Sequence, residues 1–360
     1  MRALLERLLS VPGLSGHEDR VRRLIAGELE ALGCTHETDR LGNLWTTFEG
    51  DGPSVMLFTH MDQLGFVVRK IEADGFLRLT RLGGVPERAL ASQEVVVSTP
   101  SGDVPGIIAN KSHHATALDD KYTVVRVGDL CVDCGFESRA GAEAAGVRIG
   151  SPVVYAPGSF ELGPNRITAP ALDDRAGCAV LIEVCRALAA RQGGPTVHLA
   201  FTTLEEFNLR GALPLAERLK PDMAIQIDLM LATDTPDMRD LGEMRLGGGP
   251  GISLYSFHGR GTLNGVIPHP AMVRLFEETA DAEGIPLQRS AQTGVLTDLS
   301  YVQLVGGGVA AIDVGYPLRY SHASREVVDF RDLDALRDLL VAALNRVGPD
   351  FNLSRDGGAA

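Results

Sequence analysis

Apolar and polar positions alternate in three textures along this chain. The opening stretch MRALLERLLSVPG carries apolar residues broken by Arg2, Glu6 and Arg7, an amphipathic helical pattern. SGHEDRVRRLIAGELEALG repeats that texture: Val21, Leu24, Ile25, Leu29 and Leu32 recur at helical spacing. Ser15 and Glu18 read as a capping-box pair at its start and Gly33 as its stop. LGNLWTTF and PSVMLFTHMDQLG then read as strands. The second is apolar until it reaches His60, as expected of a central strand covered on both faces. From about Gly65 to Pro164 the texture changes to short Val-rich segments (GFVVRK, FLRLTR, QEVVVS, DLCVDC, SPVVYA) separated by Gly, Pro, Asp and Ser. That is the pattern of a small all-β unit, interrupted by one short helix, SRAGAEAAG. Helical and strand patterns alternate again afterwards. DDRAGCAVLIEVCRALAAR, ALPLAERLK, HPAMVRLFEETADAEG and RDLDALRDLLVAALNRVG read as helices, with Pro270 suited to a first turn. TVHLAFTTL, AIQIDLM and VAAIDVG read as strands between them. The alternation predicts an α/β sheet with helices on both faces. The first α/β portion is too short to stand alone, so the expected division is one discontinuous α/β domain over 1–64 and 166–350, an inserted β domain over 65–165, and a flexible tail over 351–360.

A length of 360 residues agrees with about two domains. With 44% hydrophobic and 22% charged residues, the composition is that of a globular protein. The formal net charge of −13 argues against nucleic acid or an anionic membrane as the main partner. No run approaches the roughly 18 apolar residues that span a bilayer, and the N-terminal pattern is not that of a signal peptide. The five cysteines (Cys34, Cys131, Cys134, Cys178, Cys185) are odd in number and irregular in spacing, which argues against a disulfide framework. CVDC at 131–134 has no second pair and reads as part of a strand rather than a metal or redox motif. A reduced, cytoplasmic protein is expected.

Five places share one feature: an apolar strand runs into an acid or a histidine. They are VMLFTHMD (His60, Asp62), ITAPALDDRAG (Asp173, Asp174), LAFTTLEE (Glu205, Glu206), AIQIDLM (Asp228) and YPLRYSHAS (His322). Ligands of open α/β sheets bind outside the carboxyl ends of the strands. These groups can therefore converge, although they span more than 260 residues of sequence. Converging carboxylates repel and take up protons unless something neutralises them. Mixed histidine and carboxylate ligands suit Zn²⁺, Co²⁺ or Mn²⁺ better than Ca²⁺ or Mg²⁺. With Asp173, Glu206 and Asp228 ionised and the histidines neutral, two divalent ions leave a balance of about +1, which a bridging hydroxide cancels, whereas one ion leaves the site negative. The count favours two ions.

Together, HMDQLGF, ALDDRAG, LEEFNLRGA, IDLMLATDTP and RYSHASREVVDFRD resemble the M42 family of metallo-aminopeptidases, the glutamyl aminopeptidase and TET peptidase family, over nearly the whole chain. The resemblance implies a three-layer α/β/α catalytic domain on a mixed sheet, with an inserted small β-barrel-like domain that mediates oligomer formation. It implies a homo-oligomer, from a dimer to a tetrahedral dodecamer, and two divalent ions per subunit, zinc or cobalt. By motif, His60 and Asp228 hold one ion, Glu206 and His322 the other, and Asp173 bridges both. Asp62 accepts the second imidazole N–H of His60, Glu205 is the general base, and a cis peptide follows Asp173. The implied activity is hydrolysis of N-terminal residues from peptides with a free amino terminus, through a metal-bridging water. Two other hydrolase activities remain open on the residues: a metal-dependent deacylase of N-acyl amino acids, and a metal-independent glycosidase using two carboxylates. A non-catalytic protein holding structural metal is the alternative outside enzymes.

The remaining polar features read more plainly. Asp174 is expected to cap the following helix with Arg175 as ion partner, and Asp234 to sit in a turn. His113 and His114 fall in a polar loop of the insert and are expected at an interface or near the site entrance rather than on a metal. LGGGPGISLY is expected as a tight turn, since no Lys-Ser/Thr follows it. It resembles the family's specificity-pocket loop with Gly248 where a lysine often stands. TGVLTDLS keeps Thr297 and Asp298 but not the flanks of the family pattern, and Phe207-Asn208 is a further departure, so acidic side-chain specificity does not carry over.

Overall fold

The computed structural model describes residues 1–191, 193–258 and 264–356. Among them, a mixed nine-stranded sheet runs in the order Glu37–Thr38, Leu44–Phe48, Thr196–Thr202, Ser54–His60, Met223–Leu231, Ala310–Leu318, Gly251–Phe257, Gly265–Val266, and Gln288–Thr293 pairs with Gly251–Phe257. The four central strands, Thr196–Thr202 through Ala310–Leu318, are mutually parallel, so their carboxyl ends lie along one edge. Both faces are covered. Val55 and Leu57 pack with helices Arg2–Leu9, Asp19–Ala31, Leu172–Leu188, Pro270–Glu283 and Phe330–Asn345. Met56 and Phe58, pointing the other way, pack with helices Ala212–Leu219 and Leu299–Val302. This is the three-layer α/β/α arrangement, and the two-sided cover explains why the Ser54–His60 strand reads as an unbroken apolar run.

Six antiparallel strands between the first and third textures close into a barrel: Gly65–Ile71, Leu77–Leu82, Cys131–Asp133, Gly102–Ile108, Glu94–Thr99 and Pro152–Tyr155. Its interior is filled by Phe66, Val68, Leu77, Leu79, Val95, Val97, Val132 and Val153. The strand that enters the barrel pairs with the strand that leaves it, Phe66 opposite Val153.

Several local expectations change. The second helix begins at Asp19, with no side-chain cap from Glu18. Ser15 and Glu18 do not form a capping box, because both carry other hydrogen bonds described below. GISLYSF belongs to a strand rather than continuing the glycine turn, and Gln288–Thr293, with alternating exposure and no apolar run, is an unanticipated edge strand. A three-stranded sheet of Phe160–Leu162, Arg166–Ala169 and Glu326–Asp329 was also not anticipated. Of the C-terminal tail, residues 357–360 lie outside the described residues. No described helix is long and apolar enough to cross a membrane.

Candidate active site

Every sequence-predicted ligand stands at or just beyond the carboxyl end of a central strand, or at the start of the buried helix beneath it. His60 is the last residue of Ser54–His60, and Asp228 lies near the end of Met223–Leu231. His322 follows Ala310–Leu318, with its backbone in the left-handed region at φ 68°. Asp173 opens helix Leu172–Leu188, but Asp173 and Asp174 have non-helical dihedral angles and the peptide bond between them is cis. That departure takes the Asp173 side chain off the helical path.

Glu205 and Glu206 are not on a strand. Strand Thr196–Thr202 stops, and Leu204 turns the chain with φ 60°. The turn is pinned from below. Backbone N–H groups of Glu205 and Glu206 donate to the two oxygens of Asp62, each at 3.1 Å, and Leu204 N–H donates to Glu18 Oε1 at 3.1 Å. Asp62 also accepts a short bond from Ser15 Oγ and lies 3.4 Å from His60 Nδ1. One buried carboxylate thus fixes the glutamate turn and lies beside the imidazole, whose Nδ1 makes no hydrogen bond.

The convergence is tight. His60, Asp173 and Asp228 each bring a ligand atom to within 4.8 Å of one another, and so do Asp173, Glu206 and His322. Asp173 belongs to both groups: its Oδ1 is 3.2 Å from His60 Nε2 and its Oδ2 is 3.3 Å from His322 Nε2. Glu206 Oε1 is 3.9 Å from His322 Nε2 and is buried without a hydrogen-bond partner. Glu205 is in neither group, although it is buried and adjacent.

Protonation follows the crowding. Burial pushes Glu206 up to about 7, partly offset by His322. Burial, with Asp228, Glu206 and Asp298 nearby, raises Glu205 well above the usual carboxylate range despite His60. Asp228 is raised by burial and by Asp174. Burial alone would lower both imidazoles, but Glu205 and Asp173 raise His60, and Glu206 and Asp173 raise His322. In the protein alone, protons on the histidines offset the carboxylates. Divalent cations would offset the same charge, one beside each three-residue group, with Asp173 common to both. The donor set and the unpartnered Glu206 oxygen fit a metal.

Three residues outside the predicted set also shape the site. Buried Glu326 accepts from the N–H of Asp173 through Oε2 at 3.1 Å and from the N–H of His322 through Oε1 at 2.6 Å. His322 Nδ1 lies 3.1 Å from the carbonyl oxygen of Gly84, in a barrel loop, so the barrel contacts this imidazole directly. Asp298 is buried beside Glu205 and pushed up to about 7 by burial. Nothing in the local sequence singles out Glu326 or Gly84: Glu326 is bonded to backbone N–H groups, and Gly84 meets a histidine far along the chain.

The other candidates settle elsewhere. Asp174 accepts from Gly177 N–H at 3.1 Å and from the hydroxyls of Thr59 and Tyr316. Arg175 is not its partner: the guanidinium donates to the carbonyls of Leu8 and Val11 and to Gln63 Oε1. Asp234 forms a two-pronged ion pair with Arg319, 2.7 Å on each arm. His113 and His114 are exposed on the barrel, and neither they nor the cysteines join a metal-ligand group among the described residues.

A family model described as M42 glutamyl aminopeptidase matches residues 42–339. A putative aminopeptidase of Escherichia coli (strain K12), SgcX, is 37% identical over 98% of this chain and 95% of its own length. Among solved structures, aminopeptidase APDkam598 from the archaeon Desulfurococcus kamchatkensis superposes with a TM-score of 0.90 at 34% identity, covering 97% of this chain and 95% of that one. The TET1 peptidase of Pyrococcus horikoshii, which can assemble into a tetrahedron or a large octahedral shell, superposes with a TM-score of 0.86 at 28% identity, covering 95% and 98%.

Proposed function

The chain belongs to the M42 glutamyl aminopeptidase family, and from that premise we propose that it is a two-metal aminopeptidase, using zinc or cobalt, with Glu205 as its general base. The observation that carries this reading is the pair of three-residue ligand groups sharing Asp173. His60 and Asp228 would hold one ion, Glu206 and His322 the other, and Asp173 both. When bound, two such ions acidify a water and polarise the scissile carbonyl.

The chain's own residues supply the rest. Glu205 is buried beside the ligands yet outside both groups, so its carboxylate is free to take a proton from the attacking water and deliver it to the leaving amine nitrogen. Asp62 fixes the backbone of both glutamates and stands 3.4 Å from His60 Nδ1, close enough to take its proton into a hydrogen bond when Nε2 holds a metal. Glu326 likewise fixes the backbone of Asp173 and His322.

Residues 65–165 are taken as an inserted unit through which copies associate. Ile107, Leu118, Tyr122, Val124, Val125 and Ile149 of this unit are exposed, a concentration of apolar side chains that supports an interface. A panel of aminoacyl-p-nitroanilides and N-acetyl amino acids, assayed on protein reconstituted with Co²⁺ or Zn²⁺, tests the activity. Cleavage of free-amine substrates, lost on chelation and restored by metal, is expected. Turnover of the N-acetyl compounds alone would point to a deacylase, and chelator-resistant activity would exclude the two-metal reading.

A further inference from the structure

Strands Met223–Leu231, Gly251–Phe257, Gln288–Thr293 and Ala310–Leu318 line a second pocket, which shares only Asp228 with the candidate metal ligands. Its charged lining consists of two carboxylates, Asp228 and Asp313, and no Lys, Arg or His is present among the described residues lining it. Asp313 stands on a central strand and is 3% exposed. Its Oδ1 accepts from Thr297 Oγ1 at 2.8 Å, while Oδ2 is buried with no partner. Ser256 Oγ, on the neighbouring strand Gly251–Phe257, is likewise buried and unpartnered. Leaving such atoms unpaired is costly, and the cost is greatest for a carboxylate. The pocket therefore presents acceptors that lack a donor.

We infer that this pocket receives the side chain of the substrate's N-terminal residue and that Asp313 makes lysine or arginine the preferred residue there. The inference rests on Asp228 being a metal ligand at the reaction centre, as proposed above. Gly315 pairs with Asp228 across the sheet, and Asp313 lies two residues further in. That places it about 7 Å deeper along the strand, a depth that the flexible four-carbon stem of lysine can span. Met230 and Tyr255 supply apolar surface for the methylenes, and Ser256 a second acceptor for the cation. Burial pushes Asp313 up to about 7, and an arriving cation relieves that penalty by pairing with the carboxylate. A glutamate side chain would add a third carboxylate to the lining, and an aliphatic one would leave Asp313 Oδ2 unpaired.

The test compares lysine with norleucine, which has the same stem without the ammonium group. On metal-reconstituted protein, kcat/KM for Lys-p-nitroanilide should exceed that for norleucine-p-nitroanilide at least tenfold. In Asp313→Asn the ratio should fall at least tenfold, and a ratio cancels any general loss of activity. Metal content, measured in parallel, should stay at the wild-type stoichiometry. A wild-type preference for norleucine or glutamate, or a ratio unchanged in Asp313→Asn, overturns the assignment. Calorimetric titration of the metal-loaded protein with L-lysine and L-norleucine reads the pocket without turnover. If no aminoacyl substrate is cleaved but lysine binds at least tenfold tighter in the wild type and not in Asp313→Asn, the aminopeptidase reading fails and the pocket assignment stands. Equal binding of the two amino acids sinks the pocket assignment alone.

Discussion

Loss of the carboxylate at Glu206 and loss of the carboxylate next to it should have different consequences. Glu206→Gln removes a charged ligand and is expected to lower the bound metal measured by atomic absorption. Glu205→Gln should keep the metal and reduce kcat by about 10²–10⁴-fold, the usual contribution of a positioned general base. Equal metal loss in both variants would overturn the division of roles. At this scale the sequence was readable where a residue broke a pattern. His60, Asp228 and the glutamate pair each interrupt or end an apolar strand, and Asp173 stands in a recognisable motif. Glu326 and Glu18 broke no pattern. Each accepts from one nearby backbone N–H and from one that only the fold brings close: Glu326 from His322 and Asp173, Glu18 from Gly16 and Leu204. The Ser15–Glu18 spacing matches a capping box, but the Ser15 hydroxyl donates to Asp62 and Glu18 accepts from Gly16 and Leu204, contacts that spacing alone does not reveal.

Among elements, two glycine-containing loops are held by specific side chains, and one of them reaches the site. The first is the barrel loop at Gly84, where an added Cβ would lie 2.8 Å from His322 Nδ1. Gly84→Ala is expected to displace that imidazole, lowering kcat and the affinity of the metal that His322 holds about 10–100-fold. The melting temperature should change little, because the loop is at the surface of the barrel. Unchanged metal affinity would show that the loop yields instead. The second is the glycine turn at 247–249, whose N–H groups at Gly247 and Gly249 donate to the two oxygens of Asp332 at 2.7 and 2.8 Å. Burial pushes Asp332 up to about 6. The stability contributed by its protonated form is fully present below about 3.9, the usual aspartate value, and is lost as pH rises through about 6. Asp332→Asn should cost about 1–3 kcal/mol, since one amide loses its acceptor. The gap to wild type in denaturant unfolding should be wider at pH 5 than at pH 7.5, and a gap that widens with rising pH would contradict this. Helices and central strands were legible because their burial is periodic. The Gln288–Thr293 edge strand was not, because its QRSAQT sequence has too little apolar content to distinguish a strand from a loop.

For the molecule as a whole, five ionisable side chains share a small buried volume, so the metal-free protein carries a destabilising centre. Zinc or cobalt should raise the melting temperature, with a stabilisation of about 2.7 kcal/mol at a free-ion concentration 100 times Kd. Equal melting in chelator and in zinc would contradict a buried metal centre. The change of texture along the chain made the barrel legible, since short strands between turns differ plainly from alternating helices and strands. The three-stranded sheet joining Arg166–Ala169 to Glu326–Asp329 was not legible, because strands that pair across so much intervening chain leave no local mark.

The paired entry and exit strands of the barrel also affect how the centre assembles. His60 and Asp173 lie on either side of the barrel, and any route that joins them before it folds must close a loop of more than a hundred residues. Once Phe66 pairs with Val153, the free chain between them shrinks to four residues before Gly65 and seventeen after Tyr155. The closure entropy of that contact then falls by about 1.5 kcal/mol, from the logarithmic dependence on loop length. The barrel is in this sense a clasp. Folding it first would bring Asp173 to His60, leaving only Glu206, Asp228 and His322 to arrive.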